Sequence, residues 1–226
     1  MKKQLKISLC TNIVTFYVTG LSNIWAHEQA VKNKNTLPLQ DQGFKLIPYD
    51  DTFLFYNDYI LYIVLGITFV FICFQNNKKE IILRWSLMLN LLFSLRIIMI
   101  PSTILTIPVN PGEEWSSCNT LEHDYNGFFG PIEMIFNNKY TCFDFIFSGH
   151  MVNITICILL LIKYINHKYG NLLWVFCVLE AYVIILIRSH YLIDIEVAFV
   201  LTILIWTILE YREIIHKQDD QYINPV

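Results

Sequence analysis

The sequence has little charge. Charged residues make up 15% of its 226 residues, against about 25% in an ordinary soluble domain. Hydrophobic residues make up 55%, and the mean hydropathy is +0.46. This composition indicates an integral membrane protein. The sequence also lacks a basic stripe with interleaved aromatic residues, so a nucleic-acid partner is not expected.

Several sequence patterns of other protein classes are absent. There is no internal repeat, no coiled-coil heptad and no glycine-rich phosphate loop. The six cysteines show no C-x-x-C spacing, so a zinc site is not expected. Four of them lie in apolar runs, whereas Cys118 and Cys142 fall in the longest polar loop. These two could form a disulfide if that loop faces an oxidising compartment.

Long apolar runs are what the sequence does have. A membrane helix needs about 20 mainly apolar residues. Five segments meet that requirement: Phe53–Phe74, Trp85–Ile107, Phe145–Ile162, Leu172–Ile187 and Tyr191–Leu209. A sixth, Ile7–Trp25, is weaker and fits either a membrane helix or a cleaved secretory signal. The expected fold is an all-α integral membrane bundle of six transmembrane helices, or five if that segment is cleaved.

The predicted spans divide the chain and orient it. Residues 1–26 form the N-terminal helix or signal segment, 27–52 an extracytoplasmic loop, 53–210 the membrane catalytic domain and 211–226 a cytoplasmic tail. With a cytoplasmic N-terminus, ten lysines and arginines lie on the inner side and five on the outer side. This topology predicts a multi-pass membrane protein whose candidate site faces the extracytoplasmic side.

Two histidines reach that same side from segments 40 residues apart. In "HYLID", His190 and Asp194 stand at i and i+4, so they share one face of a helix. The carboxylate can fix the imidazole tautomer and leave Nε2 free as a nucleophile. His150 could then protonate a leaving oxygen, and Arg96 and Arg188 could bind phosphate. The pattern suggests group transfer through a phosphohistidine, although such histidines can also be interfacial polar residues and such pairs can support helix ends.

Four stretches resemble the sphingomyelin synthase family, a branch of the type 2 phosphatidic acid phosphatase superfamily. They are "RIIMIPSTILTIPVNP", "FGPIE", "CFDFIFSGH" and "RSHYLID", in the family's order. The resemblance implies that His190 attacks the phosphorus of a phospholipid with support from Asp194. It implies that His150 protonates the departing diacylglycerol and that Glu133 orients that histidine. Cys118 matches a family cysteine, and no metal or other cofactor is implied.

The resemblance implies an enzyme that moves phosphocholine from phosphatidylcholine to ceramide and releases diacylglycerol. Phosphoethanolamine or phosphoinositol transfer, or a diacylglycerol acceptor, are alternatives. The chain departs from the family at Phe143, Met151 and Leu192, which leaves the head group and the acceptor open. A lipid phosphate phosphatase or phospholipase C-like hydrolase is a further alternative, although the K-x6-R-P motif of the phosphatases is absent. A non-catalytic lipid-binding bundle is the alternative of another class, and the chain could form a homo-oligomer.

Overall fold

The computed structural model describes residues 2–32, 39–104, 129–132, 146–165 and 170–223. Across these ranges the regular structure is helical, and no strand occurs in them. The helices are α1 (Lys2–Lys32), α2 (Gly43–Leu46), α3 (Leu54–Phe74), α4 (Lys78–Ser102), α5 (Gly149–Tyr164), α6 (Trp174–Leu186) and α7 (Leu192–Ile223). Short 3-10 turns, Asp51–Phe53 and Gly170–Leu173, lead into α3 and α6. The predicted all-α fold is confirmed.

The helices match the composition of a membrane bundle. Four segments in the described part are long and apolar enough to cross a membrane: Lys2–Gln29, Asp51–Phe74, Lys78–Ser102 and Leu192–Glu213. The apolar helices α5 and α6 are shorter. Each of the six predicted segments thus corresponds to one observed helix, and the longest disagreement at a start is in α4. That helix begins at Lys78 instead of Trp85, because four of its first seven residues are charged and lower the hydropathy of residues 78–84.

The centre of the bundle is α5. Its side chains from Met151 to Leu161 are mostly buried, including Ile154, Ile156 and Ile158 at 0% exposure. It packs against α3, α4, α6 and α7. A helix that is apolar all round is the kind that a bundle encloses, so the short α5 lies inside and the longer helices surround it.

The N-terminal helix α1 packs parallel to α4 along a polar seam. The hydroxyls of Ser8 and Ser86 lie 2.7 Å apart, and Asn12 Nδ2 donates to Ser86 Oγ at 2.7 Å. Asn90 Nδ2 donates to the Ser8 carbonyl at 3.0 Å, and Thr15 Oγ1 donates to Asn90 Oδ1 at 3.4 Å. Interhelical hydrogen bonds between small polar side chains are a common means of association in membranes. The polar residues that weaken the hydropathy of this segment are therefore its contacts with α4.

A proline near the end of α4 extends this seam. Pro101 has no N–H, so the carbonyl four residues earlier, that of Ile97, lacks its usual helical donor. Ser22 Oγ of α1 donates to that carbonyl at 3.4 Å. The helix ends one residue beyond the proline, at Ser102. A side chain of α1 thus donates to the Ile97 carbonyl, which the proline leaves without its helical hydrogen bond.

A charged cluster joins three helices at one end of the bundle. Arg84 of α4 pairs with Glu210 and Glu213 of α7. Lys163 Nζ of α5 lies 2.7 Å from Glu210 Oε1 and 3.0 Å from Glu213 Oε2. The Trp206 ring lies 5.0 Å from the Arg84 guanidinium. Arg84 lies near the start of α4, and Lys163 lies near the end of α5. The end of α4, with Arg96, and the start of α5, with His150, meet at the other end of the bundle. We call that other end the histidine end.

Candidate functional site

The starts of α5 and α7 meet at the histidine end. Ser148 lies one residue before α5, and its N–H donates to the main-chain carbonyl of Asp194 at 3.2 Å. The Ser148 hydroxyl also accepts from Met151 N, which caps α5. His150 is in the first turn of α5, and His190 lies in the turn that enters α7. The backbone contact therefore joins the two turns that carry the histidines.

His190 and Asp194 lie side by side in the second turn. His190 Nδ1 is 3.6 Å from Asp194 Oδ2, a distance for an ion pair but longer than an ordinary hydrogen bond. The same oxygen accepts from Tyr191 N at 3.0 Å. The Asp194 side chain is only 3% exposed. The carboxylate is thus held by the backbone of its own helix start and faces one nitrogen of the imidazole, which leaves Nε2 as the other nitrogen.

His150 has a carboxylate partner that the sequence analysis did not identify. Its Nε2 lies 3.0 Å from Oδ1 of Asp58, in the second turn of α3. Asp58 is 53% exposed and His150 is 29% exposed, so this pair is more open than the first. The remaining ring nitrogen of His150 is Nδ1. A carboxylate inside an apolar span is a recognisable signal in a sequence, but nothing in the sequence connects Asp58 with a histidine 92 residues away.

Arg96 shapes the turn that precedes His150. It is 3% exposed, and its Nη1 donates to the carbonyl of Phe147 at 2.9 Å. Phe147 has a φ of 34°, in the left-handed region that favours glycine. A Cβ atom at Gly149 would lie 2.8 Å from Arg96 Nη1, so a larger residue there would require the guanidinium to shift. Arg96 is therefore in contact with the His150 turn, and its phosphate-binding role stays a prediction.

Arg188 lies in the link between α6 and α7, also with a positive φ, of 58°. Its Nη2 donates to the carbonyl of Phe44 at 2.8 Å, and the guanidinium lies 4.0 Å from the Phe44 ring centroid. Burial lowers the pKa of the Arg188 guanidinium, while the Asp41 carboxylate opposes that shift. Its Nε is buried and has no hydrogen-bond partner among the described residues. Phosphate binding by Arg188 remains a prediction.

The segment before α3 covers the His190 turn. Asp41 Oδ2 accepts from Leu192 N, the first residue of α7, at 2.6 Å, and Asp41 Oδ1 accepts from Gly43 N at 2.6 Å. Leu39 N donates to the Tyr191 hydroxyl at 3.2 Å. A carboxylate at a helix start satisfies amides that have no partner in the helix. Residues 39–47 thus help to fix the geometry of the turn, which their polar sequence did not predict.

Three predicted residues lie outside the described part of the chain: Glu133, Cys118 and Cys142. The orienting role of Glu133 and the disulfide therefore remain predictions. Within the described ranges, no group of three or more histidines, cysteines, aspartates or glutamates could hold a metal ion. The chemistry available to the described site consists of two imidazoles, each beside a carboxylate, and two arginines nearby.

One comparison with known proteins covers this site. Residues 141–211 match the family model described as the PAP2 superfamily C-terminal domain. The match includes His150, His190 and Asp194, together with α5, α6 and most of the apolar part of α7. No curated protein matches the chain. The match supports the PAP2 superfamily and lipid chemistry of the phosphatase or phosphotransferase type.

Proposed function

We propose that this chain transfers the phosphorylated head group of a phospholipid to the hydroxyl of ceramide, through a phosphohistidine on His190, and so acts as a sphingomyelin synthase-like enzyme. The observation that carries the proposal is the backbone contact from Ser148 to Asp194. It joins two turns that each present an imidazole beside a carboxylate. A nucleophile and an acid on opposite sides of one phosphate need this kind of fixed juxtaposition.

The first half-reaction breaks the bond between phosphorus and the diacylglycerol oxygen. His190 Nε2 forms a bond to phosphorus, while the electron pair of the broken P–O bond goes to the departing oxygen. His150 is protonated at the start and gives that oxygen a proton from Nδ1. Nδ1 is the donor because Nε2 is already hydrogen-bonded to Asp58 Oδ1. Diacylglycerol leaves, His150 is neutral, and Asp194 stabilises the positive charge on the His190 ring.

The second half-reaction returns the site to its starting state. The ceramide hydroxyl oxygen forms a bond to phosphorus, and neutral His150 takes the hydroxyl proton. The N–P bond breaks, and its electron pair returns to His190 Nε2. One P–O bond has been exchanged for another, and the proton count of the protein is unchanged. Phosphatidylcholine is the donor that the family resemblance implies.

The apolar helices support a site within a membrane. Its placement on the extracytoplasmic side is supported by the distribution of lysine and arginine, with ten on one side and five on the other. Arg96 and Arg188 are close to the two histidine turns. They supply positive charge near the place where a phosphate would be attacked.

Hydrolysis is the second candidate, and the chemistry that the family match supports includes it. PAP2 superfamily members are mostly phosphatases or phosphotransferases. The first half-reaction would be the same, and water would replace ceramide in the second. The products would then be diacylglycerol and a free phosphorylated head group, without a new sphingolipid.

The test uses membranes from cells that express the full chain. They receive a fluorescent ceramide and defined phospholipids, and new lipids are separated by chromatography. A fluorescent sphingolipid that carries a head group is the expected product. His190→Ala should reduce formation of this product at least about 10⁴-fold or abolish it, and Asp194→Asn should also reduce or abolish it. Asp51→Asn, at an exposed position, should leave product formation unchanged. Diacylglycerol release without that product would replace transfer by hydrolysis, and activity in His190→Ala would overturn both.

A further inference from the structure

An open groove lies between α4 and α7. Its volume is about 410 Å³, within the range of about 300–1,000 Å³ that is usual for small-molecule sites. Each helix contributes four residues to its walls at the spacing i, i+3, i+4 and i+7, from Leu91 to Ile98 on α4 and from Ile205 to Arg212 on α7. Leu91 is 45% exposed, Ile98 65% and Ile208 50%. A ligand can therefore reach the groove from the surface of the bundle.

The walls of the groove are apolar except at Ser94 and Arg212. Residues at this spacing share one face of a helix, so an apolar face of α4 and an apolar face of α7 line the same space. Both helices belong to segments that can cross a membrane, Lys78–Ser102 and Leu192–Glu213. The groove thus offers a hydrocarbon chain a concave apolar surface along the bundle.

Arg212 marks one end of the groove. It stands between Glu210 and Glu213, so it lies at the end of the bundle that carries the charged cluster, opposite the histidine end. The two glutamates pair with Arg84 and Lys163. Arg212 itself is exposed and forms no ion pair with a described residue. Since it stands one residue before the end of its apolar span, its guanidinium is at a depth where long basic side chains meet lipid head groups.

Further positive charge lies at this same end. The helices α1 and α4 are parallel, with the Ser8 and Ser86 hydroxyls 2.7 Å apart, so their starts lie together. The exposed lysines in these starts are Lys2, Lys3, Lys6, Lys78 and Lys79. A cluster of about four to eight basic residues at the cytoplasmic end of membrane helices is typical of a surface that binds anionic lipids, and the predicted topology places this end on the cytoplasmic side.

We propose that the groove between α4 and α7 binds one acyl chain of an anionic phospholipid, whose phosphate is held by Arg212. A guanidinium can donate two parallel hydrogen bonds to a phosphate. A zwitterionic phospholipid offers the same phosphate but no net charge to the nearby lysines, so it binds more weakly. The head group of this lipid lies at the end opposite His150 and His190, so the lipid is distinct from the proposed substrate. Its test requires no turnover and is therefore independent of the proposed function.

The first experiment maps the lipid on the purified full chain in detergent. The probe is a phosphatidylglycerol with a diazirine in the middle of one acyl chain, and mass spectrometry locates the adducts after photolysis and proteolysis. We expect adducts in residues 91–98 and 205–212. Unlabelled phosphatidylglycerol should compete at least about fivefold better than phosphatidylcholine with the same chains. Equal labelling of the exposed apolar face of α6, at Val175 and Val178, would show a non-specific lipid layer only and overturn the site.

The second experiment tests the charge at the end of the groove. Arg212→Gln removes the charge but keeps a side chain that can form hydrogen bonds. We expect the concentration of phosphatidylglycerol that halves the labelling to rise at least about fivefold. Lys79→Gln is the matched control, because it removes one exposed charge at the same end but outside the groove; its effect should stay below about twofold. Equal effects of the two variants would mean that general attraction, and not a site at Arg212, holds the lipid.

The third experiment tests the apolar part of the groove. Ser94 is exposed in the α4 wall, and Ser94→Phe should fill the groove and remove the adducts from both helices. Val178→Phe, at a position of α6 that is 67% exposed, should leave them in place. Adducts that persist in Ser94→Phe would overturn the site. Thermal unfolding in detergent shows whether each variant is folded, and phosphatidylglycerol should raise the unfolding temperature of wild type more than that of Arg212→Gln. If Ser94→Phe does not fold, the adduct map and Arg212→Gln still decide.

Discussion

At the residue scale, the two histidines differ in how their carboxylate partners are held. Asp194 comes from the same turn as His190, is 3% exposed and accepts from a backbone amide. Asp58 comes from another helix and is 53% exposed. Charge interactions are stronger where water is excluded, so in the proposed mechanism Asp194 acts on the nucleophile His190 in a dry setting. Asp58 lies in a more open setting, which suits the proposed exchange of protons between His150 and lipids that enter and leave.

Asp58→Asn tests the role of the second pair. Without the carboxylate, protonated His150 loses the negative charge beside Nε2, so proton donation to diacylglycerol slows. We expect the rate of ceramide head-group transfer to fall about 10- to 100-fold, within the usual contribution of acid–base groups. Initial rates in membranes measure this, with the exposed Asp51→Asn as control. A rate equal to that of wild type would show that the Asp58–His150 contact is not used.

Gly149→Ala tests the packing of the turn before His150. The new Cβ would approach Arg96 Nη1 to 2.8 Å, which displaces the guanidinium from the Phe147 carbonyl. A charge-assisted hydrogen bond contributes about 1.5–3 kcal/mol, so we expect a lower unfolding temperature in detergent and reduced activity.

Gly66→Ala is the matched control for that substitution. A Cβ at Gly66, within α3, meets nothing within 4 Å. Alanine in a helix interior is favoured over glycine by about 1 kcal/mol, so this variant should be as stable as wild type or slightly more so. Equal stability of the two variants would mean that Arg96 can move at no cost.

At the scale of elements, the polar seam explains the unusual composition of α1. Ser8, Asn12 and Thr15 lower the hydropathy of the segment, and the same residues contact Ser86 and Asn90 of α4. The sequence shows these polar residues but not the surface that they meet. That is why the segment fits two interpretations from its sequence, whereas the structure contains a helix packed along its neighbour.

Asn90→Ala tests how much the seam stabilises the bundle. Asn90 Nδ2 donates to the carbonyl oxygen of Ser8 at 3.0 Å and to the Ser8 hydroxyl at 3.2 Å. Asn90 Oδ1 accepts from the Thr15 hydroxyl. Interhelical hydrogen bonds in membranes average about 0.6 kcal/mol each, so we expect the free energy of unfolding to fall by about 1–2 kcal/mol. Unfolding in a mixed-detergent series measures it. Thr207→Ala, whose hydroxyl bonds only to its own helix, should change little; a similar loss in both variants would contradict the role of the seam.

At the scale of the whole molecule, the two ends of the bundle carry different groups of polar side chains. The histidine end carries the paired imidazoles, and the opposite end carries the cluster of Arg84, Lys163, Glu210 and Glu213. That cluster joins α4, α5 and α7 far from the site. Fixing these helices at one end limits how far their other ends can separate, which helps to hold the two histidine turns in register.

The distribution of basic residues predicts which end faces which compartment. In a variant without its native cysteines, Asp51→Cys marks the histidine end and Lys78→Cys the opposite end, and both positions are exposed. We expect a membrane-impermeant maleimide added to intact cells to label Asp51→Cys and not Lys78→Cys. Labelling both after the membrane is permeabilised is the control. The reverse pattern on intact cells would place the histidines on the cytoplasmic side.

The sequence by itself determined the helical membrane character of this protein, and it singled out His150, His190 and Asp194. Both follow from local information: apolar runs have the length of a membrane span, and the i,i+4 spacing places a histidine beside an aspartate. Only the tertiary structure decided that Asp58 meets His150 and that Ser148 joins the Asp194 turn. Those contacts join residues far apart in the chain, and helix packing, which hydropathy does not encode, brings them together.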